Sequence, residues 1–235
     1  NPGNGGAVHI TGAANSTFTG GLVQNNIAGR EGGGLWNGTG TMTVMNTNIS
    51  LNDAQGPAGD DGGGGIFNNG GTLIVSGTSV LDGNSASGAS GSGGGIFNLT
   101  PGTLTIDGIE ITNNTANRAG GGIELNAVAG ETYNFDDLTL TNNSITTPNP
   151  GNGGGLHITG AGDVNISNSL VDGNTANEGG GLWNHNGDMT ITNTTITNNQ
   201  ALGPNTGGGG IFNLGGGTLS VDAATTLLFF KIDKQ

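Results

Sequence analysis

Short runs in which large apolar and polar side chains alternate recur along the whole chain: Met42-Thr43-Val44, Leu73-Ile74-Val75, Leu104-Thr105-Ile106, Tyr133-Asn134-Phe135, Val164-Asn165-Ile166, Met189-Thr190-Ile191 and Leu219-Ser220-Val221. A period of two is that of a half-buried strand, so the outer members of each triplet face a core and the middle one faces water. A glycine cluster followed by an aliphatic residue precedes each run and occurs once more ahead of the first, at Val8, Leu35, Ile66, Ile96, Ile123, Leu156, Leu182 and Ile211. From Val8 to Ile211 is seven steps of about 29 residues each. Nowhere does a helical period replace the strand period, and a repeat of this length marks stacked supersecondary units.

Three strands per unit are expected. The first lies in Gly-Gly-Gly-Ile-Phe-Asn (93–98 and 208–213) and its variant Gly-Gly-Gly-Leu-Trp-Asn (32–37 and 179–184), the second in the alternating triplets, and the third around Ile49, Val80, Ile111, Leu140, Val171 and Ile196. Each third strand ends in an asparagine: Asn26, Asn52, Asn84, Asn114, Asn143, Asn174 and Asn199. Asparagine tolerates a left-handed bend, and identical amides stacked in one register can hydrogen-bond along the axis, so these seven are expected to form a structural ladder at a corner. The fold class is therefore all-β, a right-handed parallel β-helix of about eight coils, with coils spaced by about 4.8 Å.

A longer period lies above the coil. Asn1-Pro2-Gly3-Asn4-Gly5-Gly6 returns as Asn149-Pro150-Gly151-Asn152-Gly153-Gly154, and His9-Ile10-Thr11-Gly12 returns as His157-Ile158-Thr159-Gly160. A duplicated five-coil unit restarting near residue 149 accounts for both. The solenoid is expected to occupy 1–222, and 223–235 to be a divergent hydrophobic segment whose Leu227, Leu228, Phe229, Phe230 and Ile232 form a cap or dock on another subunit.

Composition sharpens this picture. With 52 Gly in 235 residues and 9% charged residues, the core must be long, thin and assembled from small repeated contributions. There is no Cys, which removes disulfides and thiolate chemistry. A formal charge of −13 argues against nucleic acid as a partner, and no apolar stretch is long enough to insert in a membrane as a helix.

Taken together, Gly-Gly-Gly-Ile-Phe-Asn, Leu-Thr-Ile and Asn-Asn-Thr-Ala-Asn resemble the repeats of bacterial right-handed parallel β-helix surface proteins over residues 1 to about 222. The match to the Gly-Gly-Ala-Ile and Phe-x-x-Asn repeats of chlamydial polymorphic outer-membrane adhesins is looser. The resemblance implies secretion, surface attachment and adhesion; a host-surface or glycan ligand is an expected partner, and self-association head to tail into a filament is expected from the hydrophobic segment 226–232 and the duplicated unit. The same fold also carries polysaccharide-degrading enzymes, so function has to be sought in a site.

Candidate chemistry is sparse. The acid pairs Asp60-Asp61 and Asp136-Asp137 share no local motif with Arg30, Arg118, Lys231 or Lys234, and catalysis is not expected. His9, His157 and His185 lack the neighbours of a transition-metal site. Asp53, Asp60 and Asp61 could offer oxygens to calcium, against the competing reading of solvated loop acids, and no other cofactor is expected. Trp36, Phe67, Phe97, Trp183 and Phe212 follow the inward aliphatic residue by one and should form a column on the opposite face, either open to sugars or to another copy, or packed under loops. Thr41-x-Thr43, Thr103-x-Thr105 and Thr190-x-Thr192 suggest a rival reading as an ice-binding face, broken by Ile74, Asn134, Asn165 and Asp188.

Overall fold

A computed structural model of the chain describes residues 3–147, 151–204 and 207–228. Its 31 strands are all paired in parallel and build four sheets, three of eight strands and one of seven. No helix occurs among the described residues. Every strand but the first and last of each sheet pairs with its counterpart one repeat earlier and one repeat later, which is the topology of a β-solenoid. Among the described residues seven coils carry all four strands and an eighth carries three, about seven turns, which is the expected parallel β-helix of about eight coils.

Coil 2 shows the pattern. Leu35–Asn37 belongs to sheet 1, Thr41–Met45 to sheet 2, Asn48–Ser50 to sheet 3 and Asp53–Ala54 to sheet 4. The fourth strand, absent from the three-strand expectation, is only two residues long and contains the Thr-Ala of Asn-Asn-Thr-Ala-Asn: Thr115–Ala116 and Thr175–Ala176. Its inward residue is Ala28, Ala54, Ala86, Ala116 or Ala176, each buried, with Ile145 in the same register in coil 5.

The interior is filled by stacked columns of like side chains. Met42, Leu73, Leu104, Tyr133, Val164 and Met189 form one column of sheet 2, and Val44, Val75, Ile106, Phe135, Ile166 and Ile191 the next, all buried. Full burial of such a side chain is worth about 1.5–3 kcal/mol. In sheet 3 the inward column is Ile49, Leu81, Ile111, Leu140, Val171 and Ile196. Leu81 replaces the expected Val80, which points outward; both neighbours are apolar, so alternation alone did not choose between them.

Glycine clusters make the corner between sheets 4 and 1. Gly93 has φ +66°, and a Cβ on Gly94 would stand 2.3 Å from the carbonyl oxygens of both Gly121 and Thr115. No side chain fits there, so neighbouring coils come into backbone contact.

The C-terminal boundary shifts. Thr226–Leu228 is the regular sheet 3 strand of coil 8, with Leu227 opposite Ile196 in the inward register. The solenoid therefore continues beyond 222 to Leu228, and Phe229, Phe230 and Ile232 lie outside the described residues.

Candidate functional site

At the corner between sheets 3 and 4, the expected asparagines are joined end to end. The side-chain Nδ2 of each donates to Oδ1 of the next, from Asn26 to Asn52 at 2.8 Å, Asn52 to Asn84 at 2.9 Å, Asn84 to Asn114 at 3.0 Å, Asn114 to Asn143 at 3.0 Å, Asn143 to Asn174 at 3.0 Å and Asn174 to Asn199 at 2.9 Å. The backbone N–H of the donor residue reaches the same oxygen, and from Asn52 onward the second amide proton goes to a carbonyl of the preceding coil, as from Asn114 to Leu81. The left-handed turn is made by the residue before the ladder: Asn25, Leu51, Gly83, Asn113, Asn142, Gly173 and Asn198 all have φ near +60°. The ladder residue itself was expected to bend; its amide is instead used for stacking, and the bend is passed one residue back.

A second ladder runs inside the corner between sheets 1 and 2. Asn37 donates to Asn68 at 2.7 Å, Asn68 to Asn98 at 2.6 Å, and Asn98 reaches the Tyr133 hydroxyl at 3.4 Å. Burial, with Glu131 beside it, holds the Tyr133 phenol protonated well above the usual tyrosine range. Leu125 and Ile158 occupy the next two positions, and the ladder resumes from Asn184 to Asn213 at 2.7 Å. These asparagines were visible in the Gly-Gly-Gly-Ile-Phe-Asn motif, but their stacking was not read from it.

The aromatic column stands on the outer side of sheet 1 and is buried there. Trp36 and Trp183 are 7% and 5% exposed, and Phe67 and Phe97 1%. Phe212, in the last coil, is half-buried. Trp36 stacks near Phe67 at 6.4 Å, Phe67 meets Phe97 edge-on at 5.1 Å, and Trp183 stacks near Phe212 at 5.9 Å. Each indole N–H donates to a carboxylate five residues earlier, Trp36 to Glu31 and Trp183 to Glu178, so the loop leading into the strand flanks the ring. Glu31 is pushed above the usual carboxylate range by burial, opposed by the Trp36 hydrogen bond and by Arg30. The column is a packing element, and an open stacking surface for sugar rings is not what the geometry provides.

Sheet register places two unlike residues in the middle of this column. Reading upward it runs His9, Trp36, Phe67, Phe97, Glu124, His157, Trp183 and Phe212. His157 Nδ1 lies 2.8 Å from Glu124 Oε2, with both side chains buried, and Thr159 donates its hydroxyl to Glu124 Oε1 at 2.7 Å. Above, the His157 ring lies 4.4 Å from Trp183, which in turn stacks on His185 at 5.6 Å. Glu124 therefore has a partner on each oxygen, and it is the polar seam of an otherwise aromatic stripe. Sequence reading missed it because a single Glu in a strand gives no signal until register sets it against a histidine.

The calcium candidates are separately engaged. Asp61 is buried, accepts from Arg30 at 3.0 Å and from the Ala58 N–H at 2.9 Å; Asp53 accepts from Gln55 and Ser87, each at 2.9 Å; Asp60 is exposed. Arg30 thus does share a contact with the Asp60-Asp61 pair, across one coil, which local sequence could not show. Among the described residues no three His, Asp or Glu side chains converge in the way a bound metal ion requires.

The threonine ranks lie on the outer face of sheet 2. Thr41, Thr72 and Thr103 form one unbroken column, while Thr17, Thr43, Ile74, Thr105, Asn134, Asn165, Thr190 and Ser220 form the next. No family model, no curated protein and no solved structure matches the chain.

Proposed function

We propose that this chain is a non-catalytic structural or adhesive solenoid module that works outside the cell or at its surface. The observation that carries the reading is the outer face of sheets 2 and 3, where short polar side chains, interrupted by Ile74, Val80 and Leu170, stand in register and are cross-linked between coils. Thr103 donates to Thr72, Thr141 to Thr112, Asn113 to Asp82, Asn165 to Asn134, Ser167 to Asp136 and Asn198 to Asp172. A rigid, repetitive, acidic face of this kind suits recognition by surface complementarity, whereas turnover needs a preorganised acid, base or nucleophile opening into a cleft. The buried Glu124 and His157 are spent on each other and on Thr159.

The partners that fit are a host-surface or glycan ligand and further copies of the chain, with nucleic acid disfavoured by charge. The test is adhesion of beads coated with the purified chain to cells and to immobilised polysaccharides, beside a variant with Asp82, Asp136 and Asp172 changed to Ala. Adhesion lost in a variant of unchanged thermal stability supports the reading; release of sugar fragments from any polysaccharide overturns it. Imaging a chain lacking residues 227–235 by electron microscopy separates filament formation through that segment from a capping role.

The Thr41, Thr72 and Thr103 column favours a second reading, an ice-binding face. Suppression of ice recrystallisation that disappears on changing Thr72 to Lys would select it over adhesion.

A further inference from the structure

The chain contains five Asn-Gly dipeptides, beginning at Asn4, Asn37, Asn69, Asn152 and Asn186. This pairing is the one most apt to lose its side-chain amide, because a glycine nitrogen with no adjacent Cβ can reach the Asn Cγ and close a five-membered ring. Ring closure needs a glycine N–H that is open to water and free of a hydrogen bond, so the fold decides which of the five can react. Three are tied to a neighbouring coil: the Gly5 N–H donates to the Glu31 carbonyl at 2.8 Å, that of Gly38 to Ile10 at 2.8 Å and that of Gly153 to Glu178 at 3.0 Å. The side chains of Asn4 and Asn37 are held as well, by Glu31 at 3.0 Å and by Asn68 at 2.7 Å. In the fourth, Gly187 is buried and packed against the Gly162 carbonyl.

Asn69 and Gly70 differ on every count. Asn69 is the last residue of the strand Ile66–Asn69, and both residues are half-buried. Among the described residues neither the Gly70 N–H nor the Asn69 side chain has a hydrogen-bond partner. Gly70 has φ +80°, and a Cβ built on it would meet only Pro101 Cδ, at 3.5 Å, so the ring has room to close. We propose that Asn69 is a site of spontaneous deamidation in the folded chain, selected from the five by the hydrogen bonding and burial of the other four. The Gly70 nitrogen gives its proton to solvent and bonds to Asn69 Cγ; the Cγ–Nδ2 bond breaks and Nδ2 leaves as ammonia. Water then opens the succinimide at either carbonyl, leaving aspartate or isoaspartate at position 69. One water is consumed, one ammonia is released and nothing is oxidised or reduced. The product adds a negative charge to a chain already at −13. Isoaspartate also lengthens the backbone by one carbon at the corner where Asn68 donates to the Gly71 carbonyl at 2.8 Å and to Asn98 at 2.6 Å, so the modification bears on the second ladder.

The test is a time course of the full chain, folded in mildly alkaline buffer at body temperature and mapped by mass spectrometry for amide-to-acid conversion and for isoaspartate. Conversion at Asn69 is expected to be about tenfold or more faster than at Asn4, Asn37, Asn152 or Asn186, the scale of the hydrogen bond or local opening that each of those requires first. A parallel course in denaturant separates fold from sequence, since the five rates should there converge to within a few-fold. The Asn69→Gln variant should keep its thermal midpoint and show no conversion at that position, because its ring would have six members and closes far more slowly. Any of the other four reacting as fast as Asn69 in the folded chain would overturn the proposal, and so would an Asn69 that stays intact while folded. The same order of rates in denaturant as in the folded chain would also overturn it, by assigning the selection to local sequence.

Discussion

Asn114 and Asn143, 29 residues apart in sequence, share one oxygen: the Asn143 Oδ1 accepts both the side-chain Nδ2 and the backbone N–H of Asn114, each at 3.0 Å. The arrangement satisfies a buried corner that no strand ladder reaches, and it couples each coil to the next. Asn114→Leu is therefore expected to lower stability by about 1–3 kcal/mol, because the backbone N–H and Nδ2 of Asn84 lose the oxygen they share, while Asn143 Oδ1 keeps only the backbone N–H of residue 114. Thr105→Ser, on the exposed face of sheet 2, should change stability by less than about 0.5 kcal/mol. Chemical denaturation of the two variants checks the contrast.

The glycine corner predicts a sharper contrast. Gly94→Ala places a methyl group 2.3 Å from two backbone oxygens, which cannot move without separating coils, and a loss of at least about 3 kcal/mol is expected. Gly215→Ala meets nothing within 4 Å and should be close to neutral. Thermal midpoints of the two single variants decide it.

Burial of the aromatic column makes it a contributor to stability. Phe97→Ala removes a side chain that is 1% exposed and packed against Phe67, and about 3–5 kcal/mol should be lost. A column open to ligands would show a much smaller loss, so denaturation of this variant distinguishes packing from display.

How much of this was legible in the chain depends on what each residue's neighbours are. The glycine, aliphatic and asparagine positions recur at nearly fixed spacing, so the period, the parallel stacking and the Asn26 to Asn199 ladder could be read directly. The fourth strand could not, since two residues such as Thr115 and Ala116 are too short to show alternation. Val80 and Leu81 are both apolar, so the choice between them waited for register. Glu124 and His157 stand 33 residues apart, and only the pairing of their strands brings the two groups together.

Glu31 predicts a pH response. Its carboxyl is raised in the folded chain, chiefly by burial, so folding favours the protonated form; the contribution of Glu31 to stability is greatest below the ordinary carboxylate value and falls as pH rises through the raised value. Glu31 also accepts from the Trp36 indole, so Trp36 fluorescence should titrate in step. Glu31→Gln is expected to remove this component, measured as thermal midpoints and emission over a range of about pH 4 to 7. A fluorescence titration that survives in the Gln variant would assign the response to another group.

The stacking of coils in a single register is the claim on which the ladders, the column and the seam all rest, and distances between coils test it most directly. The chain has no cysteine, so paired spin labels can be placed at will on the exposed column of sheet 2. Thr43 and Asn165 are four coils apart and Thr17 and Thr190 six, which at about 4.8 Å per coil gives backbone separations of about 19 and 29 Å. Double electron–electron resonance should return distances in that ratio after allowance for the label arms. Separations that fail to grow with coil number, or a six-coil distance no longer than the four-coil one, would contradict the solenoid.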